Sequence, residues 1–321
     1  MKQSNIATFL SCDWGTSSFR LKLVDKTSGK TLAKIANSEG IRKVFDQWQA
    51  QSQQHRIPFF QRKIQGFIDE LAQTHNMTLK NQTLVLSGMA SSSLGIKELA
   101  YAETPFSLNG KDLVTDFMPK NGHCQHDTLL ISGVRKNGDV MRGEELQAMG
   151  WRMMKTDMPK KCLLILPGTH CKHVGIKGDK IIDFNTYMTG ELFDLIQHHS
   201  LLKNDFTIEN EGTEREKQAF TEGVLAGSKG NLTHILFTIR ARILEKNLLQ
   251  NEAVYFLNGL LLGQEFLQLP DCPIVMCAAA KFHSFYQLAL ENLNVQVPIT
   301  ALTLDEVENL VVLGHLAVIN S

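Results

Sequence analysis

The stretch "FLSCDWGTSSFRLKLVD", residues Phe9–Asp25, determines how the rest of the chain is interpreted. A short apolar run ends in an acid, Asp13, and a Gly-Thr-Ser-Ser turn follows, after which apolar and polar residues alternate. Alternation with a period of two is typical of a half-buried strand, and a turn of this composition joins two such strands. A further run, "TLAKIANSEG" (31–40), completes a predicted meander of three antiparallel strands.

The same pattern returns later in the chain. "KKCLLILPGTHCKHVGIKGDKIIDFNTYMTGEL" (160–192) predicts a strand, a Gly-Thr turn, a strand, a second turn and a third strand. The two Gly-Thr turns begin at Gly15 and Gly168, which are 168 − 15 = 153 positions apart. We interpret this repeat as a structural duplication, which predicts two related lobes and a cleft between them.

The composition limits the classes of partner. The formal net charge is +0, so no basic field favours nucleic acid or an anionic membrane surface. The six cysteines are scattered without a CxxC pair, which favours free thiols over a disulfide framework or a structural zinc site. No apolar run approaches the roughly 20 residues that a bilayer requires, and we expect a cytoplasmic protein.

The remaining periodicity is mainly helical. It predicts helices over 59–74 and 144–155, several more after residue 192, and a closing apolar helix from Leu304 to Ile319. We predict an N-terminal lobe at 1–142, with the closing segment 304–321 packing back on it, and a C-terminal lobe at 143–303. The sequence leaves the oligomeric state open, with a homodimer as one alternative.

Two tight, hydroxyl-bearing turns suit phosphate, because fixed N–H and O–H donors are presented without a large Cβ blocking the approach. Asp13 cannot bind phosphate directly, but it can hold a hydrated Mg²⁺ that bridges phosphates. The alternative is that Asp13 and its glycine only shape a β-turn, and the repeat favours the phosphate interpretation over it. The chain contains no GxxxxGK[ST] loop. The candidate phosphate-binding residues are Gly15, Thr16, Ser17, Gly168 and Thr169.

Several longer motifs in the sequence resemble those of one family. They are "DWGTSSFRL", "SGMASS", "DVMRGEE", "LPGTHCKHV", "DFNTYMTGEL" and "FLNGLLLGQEF", in that order. Together they resemble the 2-dehydro-3-deoxygalactonokinase family, within the superfamily of sugar kinases, Hsp70 and actin. The resemblance implies an α/β fold of two ribonuclease H-like lobes around a central cleft. It also implies Mg-ATP as phosphoryl donor and the terminal 6-hydroxyl of 2-dehydro-3-deoxygalactonate as acceptor.

Phosphoryl transfer requires a carboxylate to accept the hydroxyl proton. The resemblance indicates Glu144 as this base, because related kinases place an acid at the start of the helix before the second hairpin, and Asp139 is the alternative. Acids are also favoured at a helix start for the dipole alone, so a structural role for Glu144 and Glu145 stays open.

The substrate carboxylate requires a cation, and Arg142 can pair with it bidentately. Arg20 is a second candidate for the substrate, or alternatively a partner of Asp25. Glu191 is expected either to cap its helix or to reach the substrate. The other substrate-binding candidates, each with a structural role as alternative, are Lys172, His170 and Ser91.

One segment departs from the superfamily pattern. Where a glycine-rich adenosine turn is expected, the chain has Ala278–Ala280, which leaves the nucleotide preference open. Gly259 and Gly263 could admit the base, or could serve helix packing. Two other functions on the same fold stay as alternatives: a nucleotide-binding regulatory protein and a phosphohydrolase. The preferred epimer, galactonate- or gluconate-derived, is also open.

Overall fold

The structure, a computed structural model, describes residues 7–51, 55–155, 157–203, 206, 208 and 212–320. The chain forms two compact units. The first comprises Met1–Met158, Gly178–Asp183 and Asn309–Ser321, and the second comprises Pro159–Lys177 and Phe184–Glu308. The lobe bounds drawn from the sequence, 1–142 and 143–303, stay a prediction.

The first unit is built on the predicted meander. Strands β1 (Thr8–Trp14), β2 (Phe19–Asp25) and β3 (Thr31–Asn37) pair antiparallel, which confirms the interpretation of the opening stretch. The sheet continues on the other side of β1 in the order β3-β2-β1-β4-β8-β7. A small second sheet has the order β10-β9-β5. The further strands of these two sheets are β4 (Thr83–Gly88), β5 (Ala102–Glu103), β7 (Thr115–Met118), β8 (Thr128–Ile131), β9 (Val134–Lys136) and β10 (Asp139–Met141). Strand β6 (Phe106–Ser107) pairs antiparallel with residues 180–181, in a third sheet.

Three helices accompany this sheet: α1 (Ile41–Gln49), α2 (Arg56–Thr74) and α3 (Glu144–Met154). Helix α2 starts three residues before its predicted start, and α3 lies where the sequence predicted it. The sequence analysis missed α1, although its apolar residues follow the i, i+3, i+4, i+7 spacing of an amphipathic helix. Those residues, which lie in or against the core of the first unit, are Ile41, Val44, Phe45 and Trp48.

A second large sheet, most of which lies in the second unit, repeats the strand order of the first. Strands β11 (Lys161–Leu166), β12 (Cys171–Lys177) and β13 (Lys180–Tyr187) form the second meander. Strand β14 (Ile274–Met276) pairs parallel with β11, and β15 (Ile299–Ala301) pairs parallel with β14. The order β13-β12-β11-β14-β15 therefore matches β3-β2-β1-β4-β8, where β4 is parallel to β1 and β8 to β4. The duplication inferred from the sequence is confirmed.

The helices that follow agree with the predicted helical half of the chain. Helices α5 (Glu214–Gly227) and α7 (Gln250–Glu265) approach so closely that a Cβ on Gly259 would lie 2.1 Å from Phe220 O, and one on Gly263 would lie 2.1 Å from Val224 O. These two glycines therefore serve helix packing. The helices are α4 (Thr189–His199), α5 (Glu214–Gly227), α6 (Leu232–Leu244), α7 (Gln250–Glu265), α8 (Ala280–Asn292) and α9 (Leu304–Asn320).

The C-terminal part of α9 belongs to the first unit. His315 is fully buried there, and its ring nitrogens lie 2.8 Å from the hydroxyls of Ser11 and Ser87. Burial lowers the pKa of His315 to about 3, so the imidazole is neutral at ordinary pH. Within the described residues, no helix combines the length and the apolar character needed to cross a membrane.

Candidate active site

The first Gly-Thr turn joins β1 to β2 and is held from behind by α1. Gly15 N–H donates to Ser18 O at 2.9 Å, which closes the turn. The carbonyl oxygens of Gly15 and Thr16 accept hydrogen bonds from the N–H groups of Ile41 (2.9 Å) and Arg42 (3.1 Å) at the start of α1. The side chain of Thr16 stays exposed.

The second turn, residues 167–170, is held by α4 and by Cys171 at the start of β12. Thr169 O accepts a hydrogen bond from Glu191 N–H at 3.0 Å, and Gly168 O accepts from the Cys171 thiol at 3.3 Å. A glycine permits the close approach of the helix in each unit. A Cβ on Gly40 would lie 2.3 Å from Thr16 O, and one on Gly190 would lie 2.5 Å from Gly168 O.

These contacts occupy carbonyl oxygens in both turns, which bears on whether an anion can bind there. A carbonyl oxygen is the negative end of the peptide dipole and repels phosphate, whereas N–H and O–H groups attract it. In each turn two carbonyl oxygens are occupied by donors of the protein itself. The turn residues named as phosphate-binding candidates therefore lie in two locally equivalent settings, one in each unit.

Asp13 lies next to last on β1, beside the first turn, and its carboxylate is paired with Arg20. Arg20 Nη1 is 3.0 Å from Asp13 Oδ2, because the antiparallel register places these two residues opposite one another. The expectation that Arg20 pairs with Asp25 is wrong, since the Asp25 carboxylate accepts from Thr27 N–H at 2.8 Å instead. Burial raises the pKa of Asp13, Arg20 opposes the rise, and the carboxylate of Glu144 adds to it.

Two glycines bring Glu144 towards Asp13. Gly88 ends β4 with φ of 75°, and a Cβ there would lie 3.1 Å from Asp13 Oδ1. Gly143 precedes α3 with φ of 110°, and a Cβ there would lie 3.8 Å from Gly88 Cα. Because a side chain is strained at such φ values, glycine is favoured at both points. The close contact between Gly143 and Gly88 therefore places Glu144, the first residue of α3, near the end of β4 that contacts Asp13.

Glu144 and Glu145 differ in environment. Glu145 is fully buried, and both of its carboxylate oxygens accept from Gly143 N–H, at 2.9 and 2.8 Å. Burial, reinforced by the neighbouring Glu144, raises the pKa of Glu145 to about 8. Glu144 is only partly buried, and one of its oxygens accepts from Arg142 N–H at 3.0 Å. Glu145 is thus held by backbone hydrogen bonds inside the protein, whereas Glu144 is only partly buried.

Asp139, the alternative base, occupies a different setting. It begins β10, directly after the turn that joins this strand to β9, and is partly buried. Its Oδ1 accepts from Val140 N–H at 2.7 Å. Of these two acids, Glu144 is the one whose charge contributes to the raised pKa of Asp13.

Arg142 is held by two neighbours. Its Nη1 donates to the carbonyl oxygen of Ser91 at 2.8 Å and lies 2.5 Å from the Ser91 hydroxyl. Its guanidinium carbon lies 4.2 Å from the centre of the Tyr101 ring. Buried Nε has no hydrogen-bond partner among the described residues, so the guanidinium keeps unused donor capacity. Ser91 therefore contacts Arg142, and Tyr101 was missed because it lies in an irregular segment without periodicity.

The cations after the second turn are partly committed within the protein. Lys172 is buried, and its Nζ donates to His170 O at 2.9 Å. His170 is exposed, and its Nε2 lies 2.5 Å from the carboxylate of Glu191. Glu191 thus contacts the turn twice, through its N–H and through His170. The substrate-binding roles of Lys172 and His170 stay predictions.

The alanine segment after β14 does not carry the strain that its composition suggested. Ala279 precedes α8 with φ of −64° and ψ of 161°, an extended conformation that any residue adopts. Because φ is negative at this position, glycine has no conformational advantage over alanine there, and alanine fits the observed turn.

The side chains that could ligate a metal here are compatible with a magnesium ion that binds together with the nucleotide. Among the described residues, no group of three or more His, Cys, Asp or Glu is arranged to hold a metal ion by itself. Mg²⁺ in phosphotransfer sites is usually held by one or two carboxylates, several waters and the phosphates. A single carboxylate, Asp13, fits that pattern.

Comparison with known proteins places this site in a family. The family model described as 2-keto-3-deoxy-galactonokinase matches residues 13–311, a range that contains both turns, Asp13, Arg142 and Glu144. The chain belongs to the 2-keto-3-deoxy-galactonokinase family. The resemblance inferred from the sequence motifs is therefore confirmed. The members of this family are sugar-acid kinases.

Individual relatives agree with the family assignment. The chain is 31% identical over 267 residues to the probable 2-dehydro-3-deoxygalactonokinase DgoK1 of Rhizobium meliloti (strain 1021), covering 80% of this chain and 78% of the relative. It is 32% identical over 230 residues to the 2-dehydro-3-deoxygalactonokinase of Escherichia coli (strain K12), covering 68% and 73%. A crystal structure of a Sinorhizobium meliloti protein assigned to the same enzyme superposes with a TM-score of 0.75 at 26% identity, covering 96% of each chain. The predicted α/β fold class is confirmed.

Proposed function

We propose that this protein transfers the γ-phosphoryl group of ATP to the terminal 6-hydroxyl of 2-dehydro-3-deoxygalactonate. The observation that carries the proposal is the family match over residues 13–311, which includes every residue given a chemical role below. Two relatives bear the name of this activity over two thirds or more of the chain.

The acid–base step is assigned to Glu144. Its carboxylate accepts the proton of the 6-hydroxyl while the hydroxyl oxygen forms a bond to the γ-phosphorus and the bond to the ADP oxygen breaks. The charge of Glu144 contributes to the raised pKa of Asp13, the acid beside the first turn, which supports a position for Glu144 near the phosphates. Asp139 stays the alternative base.

The two turns bind the phosphates of ATP through their N–H and hydroxyl groups, with Gly15, Thr16 and Ser17 in one unit and Gly168 and Thr169 in the other. Asp13 would hold the magnesium ion, directly or through water, and that ion supplies positive charge to the phosphate oxygens. Arg20, which neutralises Asp13 in this structure, is exposed, so it can yield the carboxylate at little cost.

Arg142 pairs with the substrate carboxylate. The Ser91 hydrogen bonds and the Tyr101 ring fix its guanidinium, so less side-chain freedom is lost when the acid binds. A preorganised fork of this kind recognises the planar carboxylate and thereby selects sugar acids over neutral sugars.

A coupled ADP-release assay tests the proposal. Mg-ATP is supplied with 2-dehydro-3-deoxygalactonate, with the gluconate-derived epimer and without any sugar acid. ADP release that depends on the galactonate-derived acid is expected. Release without an acid would point to a phosphohydrolase, and no release with either epimer would favour a nucleotide-binding regulatory protein.

A further inference from the structure

A buried polar cluster lies behind the second turn, centred on Glu265 at the end of α7. The Glu265 side chain has 0% exposure. Its Oε1 lies 3.0 Å from His173 Nε2, and the Tyr286 hydroxyl donates to its two oxygens, each at 3.1 Å. The hydroxyl of Thr189 donates to Oε2. One carboxylate thus joins strand β12 to helices α4, α7 and α8.

Two paths lead from this carboxylate to the turn at 167–170. Along the first, the Tyr286 hydroxyl lies 3.0 Å from Cys171 Sγ, which lies 3.3 Å from Gly168 O. Along the second, Thr189 begins α4, whose Glu191 N–H donates to Thr169 O at 3.0 Å. The Glu265 cluster, defined as Glu265, His173, Tyr286, Thr189 and Cys171, therefore fixes both carbonyl oxygens that the turn directs away from an anion.

Stability alone does not explain the cluster. Burying a carboxylate is costly, and well-packed apolar residues of similar size are often equally stable or more stable. The hydroxyl and thiol groups around Glu265 each have a hydrogen-bond partner, and a fully hydrogen-bonded network of this kind is rigid. Burial, together with the charge of Glu265, raises the pKa of Tyr286, so the phenol keeps the proton that it donates. Hydrogen bonds fix the orientation of the groups that they join, whereas apolar packing does not.

We propose that Glu265 is a positioning residue, which holds the turn at 167–170 in the shape that binds the phosphates of ATP. This inference rests on the proposed function, because it assumes that ATP is the ligand of the turn. The residue contacts no reacting atom and acts through Thr189, Tyr286 and Cys171.

The test uses variants that keep the shape of the cluster and remove single hydrogen bonds. Glu265→Gln replaces one acceptor oxygen by a donor that faces other donors. Tyr286→Phe and Thr189→Val each remove one hydroxyl. Glu252→Gln is the matched control, because Glu252 is a buried glutamate on the same helix, at its opposite end, where it pairs with Arg215 at 2.8 Å.

Equilibrium binding is measured by calorimetry for Mg-ATP and for adenosine, below the unfolding temperature of every variant. Glu265→Gln is expected to weaken ATP binding about tenfold or more, because small displacements of a binding group are costly, while adenosine binding stays at the wild-type level. Tyr286→Phe and Thr189→Val should follow in the same direction. Glu252→Gln should lower the unfolding temperature without changing either affinity.

The outcomes separate the two proposals. If wild-type protein binds ATP and all three cluster variants bind it equally well, Glu265 is only structural and this inference is overturned. An equal loss of ATP and adenosine affinity would also overturn it, since that loss reports a general change in the unit. If wild-type protein binds no ATP, the proposed function fails, and this inference fails with it.

Discussion

Glu144 and Glu145 are adjacent acids with different roles. From the sequence both are equally suited to a helix start, and residue type cannot separate them. Their position on α3 does, since Glu145 is buried and accepts hydrogen bonds from Gly143 N–H, while Glu144 is only partly buried. The resemblance selects Glu144 as the base, whereas the packing that buries Glu145 is not encoded locally in a single sequence.

The base assignment predicts the effect of Glu144→Gln. The amide cannot accept the hydroxyl proton, so kcat should fall by about 10²–10⁴-fold, the usual contribution of a general base, with ATP affinity nearly unchanged. Steady-state kinetics and equilibrium ATP binding together measure both quantities. Asp139→Asn is the comparison variant, and full turnover in the Glu144 variant with loss in the Asp139 variant would move the base to Asp139.

Arg142→Ala should act mainly on KM for the sugar acid. Losing a charged hydrogen bond of about 1.5–3 kcal/mol corresponds to a rise of about 10- to 100-fold in KM, with KM for ATP unchanged. Arg135→Ala is the control, because Arg135 is an exposed arginine on β9 whose partner is Glu103. An unchanged KM for the acid in the Arg142 variant would remove this residue from the carboxylate site.

At the scale of elements, the meanders were predictable and the positioning contacts were not. Alternating residues and turn composition act locally, so both three-stranded meanders and the duplication could be inferred from the sequence. The Glu265 cluster joins residues from 171 to 286, and nothing in the neighbourhood of each residue indicates the others. Tyr101 escaped for the same reason, since its role depends on a contact with Arg142 across 41 positions (142 − 101 = 41).

The close approach of α4 to the second turn predicts the effect of Gly190→Ala. The added Cβ would lie 2.5 Å from Gly168 O, so the helix or the turn must shift. We expect a loss of ATP affinity of about tenfold or more, measured by equilibrium binding. Gly66→Ala is the matched control, because Gly66 lies inside α2 with nothing within 4 Å of the added Cβ. It should leave ATP affinity unchanged and stabilise the protein by about 0.5–1 kcal/mol; equal ATP affinity in both variants would contradict the role of the contact.

At the scale of the whole molecule, His315 predicts how stability depends on pH. Its pKa is about 3 in the folded protein and about 6.5 in the unfolded chain. Because the unfolded state takes up the proton first, the contribution of His315 is complete above pH 6.5 and is lost as the pH falls towards 3. The free energy of unfolding should fall by about 2 kcal/mol from this group between pH 7 and pH 5.

Denaturant unfolding of wild-type protein and His315→Gln at both pH values isolates this contribution. Glu145 acts in the opposite direction, since its raised pKa lets the folded protein keep a proton up to about pH 8. The difference between the two proteins removes that effect, because both contain Glu145. Equal pH dependence in the two proteins would show that His315 is not the group responsible.

The position of α9 has a consequence for biosynthesis. Residues 309–320 close the first unit: a Cβ on Gly314 would lie 2.3 Å from Leu146 O, and His315 bridges two strands that emerge from the ribosome early. The first unit is therefore complete only after residues 309–320 of α9 have been translated. Most of the second unit is available before then, so its core can assemble while the nascent chain is still attached. A ribosome stalled before codon 309 would hold a first unit whose buried serines, Ser11 and Ser87, lack their histidine partner.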